Sequence, residues 1–66
     1  MTNLKRIRQD NKLTQNQLAE KSGVNVRMIQ HYEQGSKPIN SAESLTVYKL
    51  ATALDCPMED LLELDE

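Results

Sequence analysis

The chain has 66 residues, 27% of them charged and 38% hydrophobic, with a formal net charge of −2. A sequence this short supports one small core and little room for a closed active-site pocket, so it reads as a single domain over residues 1–66. No apolar run exceeds two residues, which excludes a membrane span and a signal-peptide core; one cysteine and one histidine exclude an internal disulfide and a structural zinc site.

Strand signals are absent: there is no sustained alternation and no Phe or Trp. The punctuation instead predicts an all-α, five-helix domain. Thr2 is positioned to cap a first helix that runs to about Asn11, with Leu4 and Ile7 on its inner face. Thr14-Gln15-Asn16-Gln17 has the form of a capping box and opens a second helix to about Ser22, which buries Leu18 and Ala19. Gly23 follows where a left-handed residue would end it. Asn25 is a good cap for a third helix, Val26 to Gln34, closed by Gly35. The apolar stripe of that helix is Met28, Ile29 and Tyr32; its polar stripe is Arg27, Gln30, His31 and Gln34. After a loop, Asn40 with Glu43 three residues on predicts a fourth helix ending near Leu54, with Ala42, Thr46, Val47, Leu50, Ala51 and Leu54 inward. Pro57 fits the first turn of a fifth helix carrying Met58, Leu61 and Leu62. Residues 63–66 read as a frayed tail.

The charge is unevenly spread along this series. Residues 1–37 hold seven basic and three acidic groups, while residues 38–66 hold Lys49 against seven acidic groups. A basic half suggests a polyanion partner, and an acidic half suggests solvent or a protein. The function-bearing segment is about 14–35. Two short helices joined by Ser22-Gly23-Val24-Asn25 must cross steeply. If both pack on the first helix, the outer face of the third is left exposed, which is the geometry that places a helix in the DNA major groove.

The stretch LTQNQLAEKSGVNVRMIQHYEQG, residues 13–35, resembles the helix-turn-helix of the XRE family, the Cro and phage-repressor type. The likeness extends through LKRIRQDNKLTQ before it and YKLATALDCPMEDLL after it, and covers about residues 2–62. It implies a compact lambda-repressor-like fold and sequence-specific binding of double-stranded DNA, with the helix over 26–34 as the recognition helix. The connection from Ser36 to Asn40 is a few residues longer than in the shortest members of the family.

By this resemblance Gln15 and Asn25 are candidate phosphate contacts; Lys37, in the loop where the resemblance transfers least, is a further candidate from its charge. Val26, Arg27, Gln30 and His31 are the candidate base readers, and Arg8 with Glu33 form an internal ion pair. Each assignment stands beside a plainer one. Arg27 either forks onto a guanine or lies solvated; His31 reads a base, touches phosphate or faces water. Val26 meets a thymine methyl or packs the turn, and Gln15 holds a phosphate or is only a polar first-turn residue. Lys12 and Lys37 are phosphate contacts or free surface charges. Tyr32 and Cys56 read as core.

No catalytic constellation is present: His31 has no nucleophile near it in sequence, and there is no Gly-rich phosphate loop. The expectation is therefore a cytoplasmic, cofactor-free and metal-free transcriptional regulator, a repressor acting by operator occupancy. It would bind as a homodimer, formed at the latest on DNA, through whichever of Met58, Leu61, Leu62 and Leu64 stay exposed. The alternative is an antitoxin-like module whose main partner is another protein, held through the acidic half.

Overall fold

The computed structural model describes residues 1–64. Four α-helices form among them: α1 (Asn3–Asp10), α2 (Gln15–Ser22), α3 (Val26–Gln34) and α4 (Ser44–Leu54). Single 3-10 turns, Ile39–Ser41 and Met58–Leu61, flank α4.

The first three helices start on side-chain caps, each worth about 1 kcal/mol. Thr2 Oγ1 accepts from Lys5 N at 3.2 Å. Thr14 and Gln17 close a reciprocal box, with Gln17 N donating to Thr14 Oγ1 at 3.1 Å and Thr14 N donating to Gln17 Oε1 at 2.8 Å. Asn25 Oδ1 accepts from Arg27 N at 2.7 Å. At their far ends, α2 and α3 stop on Gly23 (φ 77) and Gly35 (φ 82). A Cβ on Gly23 would meet nothing within 4 Å, so the glycine is demanded by its dihedral angle and not by crowding.

Two expected elements are corrected. The fourth helix begins at Ser44 and not at Asn40, because Asn40 is used elsewhere. Its Oδ1 accepts from Glu63 N at 2.8 Å and its Nδ2 donates to Glu63 O at 2.7 Å, while Ala42 turns extended (ψ 154). There is also no fifth α-helix among the described residues; the segment after Pro57 makes one 3-10 turn and leaves it at Leu62 (ψ 147). The reason lies on the other side of the molecule. Leu62 O accepts from Asn3 Nδ2 at 2.8 Å, and Glu63 Oε2 accepts from Asn3 N at 2.8 Å at the start of α1. These bonds tie Leu62 and Glu63 to the start of α1, so the expected fraying does not begin at Glu63. The rest of the expected frayed tail, residues 65–66, lies outside the described residues.

The core draws at least one side chain from each element, and its most deeply buried members come from five of them. Leu4 of α1, Leu18 of α2, Ile29 of α3, Leu50 of α4 and Leu61 of the last turn are all at most 1% exposed. Full burial of each is worth about 1.5–3 kcal/mol. Tyr32, Val47, Ala51 and Leu54 join this core, as do Val24, Ile39 and Ala53, whose positions carried no periodic signal. Helix α2 packs against both α3 and α4, and α1 packs on α3 and on the Met58–Leu61 turn. That arrangement puts α3 at the surface with only its Ile29–Tyr32–Glu33 side turned in.

Candidate nucleic-acid interface

The crossing of α2 and α3 is set by a turn whose parts bond locally. Ser22 Oγ accepts from Val24 N at 3.1 Å, and Val24 itself is buried in the core. The chain thus enters α3 from a pinned residue, and the orientation of the helix follows from the inward pull of Ile29 and Tyr32.

Charge then fixes α3 to α1. Arg8 Nε meets Glu33 Oε2 at 2.7 Å and Arg8 Nη2 meets Glu33 Oε1 at 3.0 Å, a two-pronged ion pair whose side chains are 10% and 2% exposed. Arg8 Nη1 also donates to Leu13 O at 2.7 Å, tying down the connector between α1 and α2. Gln15, in the first turn of α2, donates from Nε2 to Glu33 Oε1 at 3.0 Å. One carboxylate therefore joins α1, α2 and α3. The Gln15 link had no local signal. The ion pair did have one: Arg8 lies four residues after Leu4, and Glu33 four after Ile29, so each charge shares the inward face of its helix.

Arg27 is exposed at the second position of α3, and its guanidinium enters no ion pair among the described residues. Val26, Gln30 and His31 are half-buried on the same helix. Asn25 is exposed and spends Oδ1 on its cap bond, while its amide nitrogen makes no hydrogen bond among the described residues. Gln15 is half-buried with one amide hydrogen held by Glu33; its second hydrogen and its oxygen make no bond among the described residues. A shallow groove between α2 and α3 is bordered by Asn16, Glu20, Asn25 and Val26. Lys37 stands apart from these, beside Met28, with Nζ 4.0 Å from its sulfur, at a groove of about 310 Å³ between α3 and the start of α4.

Burial changes the charge accounting. Arg8 neutralises Glu33 inside, and the exposed Arg6 sits 3.9 Å from Asp10. Lys12, Lys21, Arg27 and Lys37 are the exposed cations of the first 37 residues that enter no ion pair among the described residues. Cys56 is half-buried against the core. Burial first, and then the carboxylates of Asp60, Asp55 and Glu59, push its thiol above the ordinary range. A thiol so placed holds less thiolate near neutral pH than a free cysteine, and so is a weaker nucleophile there.

Of the apolar residues expected to contact a second copy, Leu61 is fully buried, Met58 and Leu62 are half-buried and Leu64 is 69% exposed. Leu45 and Tyr48, one turn apart on α4, are 60% and 56% exposed and were not expected there.

A capped helix, a glycine turn and a second capped helix held across a third define a helix-turn-helix domain of the XRE type, the class of DNA-binding transcription regulators. The helix-turn-helix family model matches residues 4–61, and the chain belongs to that family. It is 41% identical over 59 residues to the HTH-type transcriptional repressor RghR of Bacillus subtilis, a match that takes in 89% of this chain and 42% of that protein. The chain thus spans less than half the length of this relative. No solved structure matches it significantly. Among the described residues, no helix is long and apolar enough to cross a membrane.

Proposed function

We propose that the chain acts in the cytoplasm as a repressor that occupies an operator and blocks polymerase there. It performs no reaction and needs no cofactor or metal. The observation that carries this reading is Arg27, an exposed guanidinium in no ion pair among the described residues, at the N-terminal end of a helix whose other face is fixed by Ile29, Tyr32 and Glu33. That end of a recognition helix is the part that reaches base edges. The name of the repressor from Bacillus subtilis supports the same direction of regulation.

In this reading Arg27, Val26, Gln30 and His31 face base edges. Gln15 and Asn25 bond phosphate oxygens with the amide hydrogens left to them, and Lys37 approaches the backbone from the loop after α3. One such helix reads only a few base pairs, too few for a useful specificity ratio in a genome. Two copies therefore share one pseudopalindromic site, with half-site centres roughly 34 Å apart. Leu64, with Leu45 and Tyr48 on α4, supplies exposed apolar surface for that pairing.

Selection of binding sites from a random DNA pool, followed by footprinting, tests this. The expected result is an enriched site with two-fold symmetry, two chains per site, and affinity falling with salt by a slope of about −0.9 per phosphate neutralised. A pool that shows no enrichment overturns the reading and leaves the antitoxin-like module, with a protein partner, as the function to pursue.

A further inference from the structure

Among the described residues, one buried side-chain nitrogen or oxygen has no hydrogen-bond partner: Nδ1 of His31. Its place makes it consequential. His31 lies one helical turn after Arg27 on α3, and the loop that follows folds back onto it, with Lys37 N donating to its carbonyl at 3.3 Å. The side chain as a whole is half-buried, and Nε2, the other ring nitrogen, makes no hydrogen bond within the protein and is open to solvent.

The two nitrogens of a neutral imidazole are one donor and one acceptor. The burial of Nδ1 decides which is which. With the proton on Nδ1, a buried N–H would face no acceptor, and orphaned N–H groups are rarer in proteins than under-satisfied acceptors. With the proton on Nε2, only a lone pair is left unpaired inside, and the N–H points outward, where water or a ligand accepts from it. We infer that His31 is held in the Nε2–H form and presents a fixed hydrogen-bond donor to DNA, so that it pairs with an acceptor and rejects cytosine.

This inference rests on the DNA-binding reading above and gives His31 its chemistry. In the major groove, guanine offers N7 and O6, adenine N7 and thymine O4 as acceptors, whereas cytosine offers an amino donor. Phosphate oxygens are acceptors of the same kind. A donor-only nitrogen therefore accepts either source but is discriminating only at a base edge.

Because His31 is the chain's one histidine, the tautomer can be read without assignment ambiguity. In 15N-labelled protein at alkaline pH, long-range proton–nitrogen spectra are expected to show a protonated Nε2 and a bare Nδ1. A protonated Nδ1 overturns the inference, whatever DNA does. Binding is then measured on the selected duplex, on its single-base variants, and on duplexes whose purine N7 atoms are replaced one at a time by carbon. His31→Ala is expected to lose about 3- to 10-fold. If a base is read, the loss is confined to one position, where wild type is sensitive to the removed acceptor and the variant is not. If a phosphate is held, the loss is equal for all sequences. His31→Gln, which keeps an N–H but adds an acceptor, should recover affinity and tolerate cytosine. Unchanged binding of His31→Ala to every duplex overturns the donor role while leaving the proposed function intact. A wild-type chain that binds no duplex overturns the proposed function and the donor role together; the nitrogen spectra of the free protein then still report on the tautomer separately.

Discussion

Gln15 and Glu33, on different helices, share a hydrogen bond of 3.0 Å, and the oxygen that accepts it is also held by Arg8 at 3.0 Å. The first turn of α2 and the inner face of α3 are therefore positioned by the same carboxylate. A helix-turn-helix works only if the backbone-contacting start of one helix and the reading face of the next keep a fixed separation. Here the Gln15 amide joins α2 to Glu33 of α3, and Arg8 fixes the same carboxylate to α1.

Loss of the carboxylate is expected to be severe. Glu33→Ala leaves a buried guanidinium with only the Leu13 carbonyl, and breaking a buried pair from one side costs about 3–5 kcal/mol. For so small a domain that is a large share of total stability. Denaturant unfolding of the variant measures it, and a midpoint within error of wild type would show that the pair contributes nothing. Glu33→Gln keeps the shape and one acceptor and should fall between the two.

Gln15→Ala separates positioning from reading. If the amide hydrogen not held by Glu33 grips a phosphate, binding should weaken by a similar factor for every sequence. The fold should survive, because the Arg8–Glu33 contacts do not depend on Gln15. A loss confined to one base pair would make Gln15 a reader instead.

Arg27→Ala should behave in the opposite way. The guanidinium fork meets guanine O6 and N7 together, so its removal should cost about 1–3 kcal/mol on the preferred site and relax preference at one base pair per half-site. Arg27→Lys should recover part of the affinity and less of the discrimination, since a point cation lacks the fork. Titrations at fixed salt on the selected site and its single-base variants decide it. An equal loss on all of them would mark Arg27 as a phosphate contact and pass base reading to Val26, Gln30 and His31.

Asp55 is a place where the sequence works against the fold. It closes α4 in the left-handed region (φ 55) and puts a negative charge where the helix dipole is already negative. Asp55→Gly relieves both and should stabilise the domain by roughly 1 kcal/mol, seen as a rise in Tm of about 4–8 °C. No rise would mean that the aspartate gains as much from local hydrogen bonding as it loses in strain.

Cys56 gives the pH prediction. Its thiol is pushed up by burial and by Asp60, Asp55 and Glu59, so at any pH near neutrality less of it is thiolate than in a free cysteine. Alkylation by iodoacetamide should be slower than that of a small model thiol, and its rate should climb only at higher pH. Unfolding the chain should abolish the difference. A native-state rate equal to that of the model thiol would contradict it.

The local punctuation of this chain was legible in its sequence. Caps at Thr2, Thr14 and Asn25 and left-handed stops at Gly23 and Gly35 act over three or four residues, so the bounds of α1, α2 and α3 can be read without a fold. The inward stripe of α3, and with it the outward position of Arg27, follows from helical periodicity in the same way. Tertiary structure decided what depends on distant partners. Asn40 looked like a cap, but Glu63, 23 residues away, claims its amide and delays α4 to Ser44. Asn3, 60 residues from Glu63, bonds Leu62 and Glu63 to the start of α1, and a single turn stands where a fifth helix was expected. Gln15 and Glu33 are 18 residues apart, and no spacing rule joins an exposed-looking amide to a carboxylate on another helix. A hydrogen bond forms wherever the packed core brings donor and acceptor within 3 Å or so, and the core is assembled from Leu4, Leu18, Ile29, Leu50 and Leu61, contributed by five separate elements.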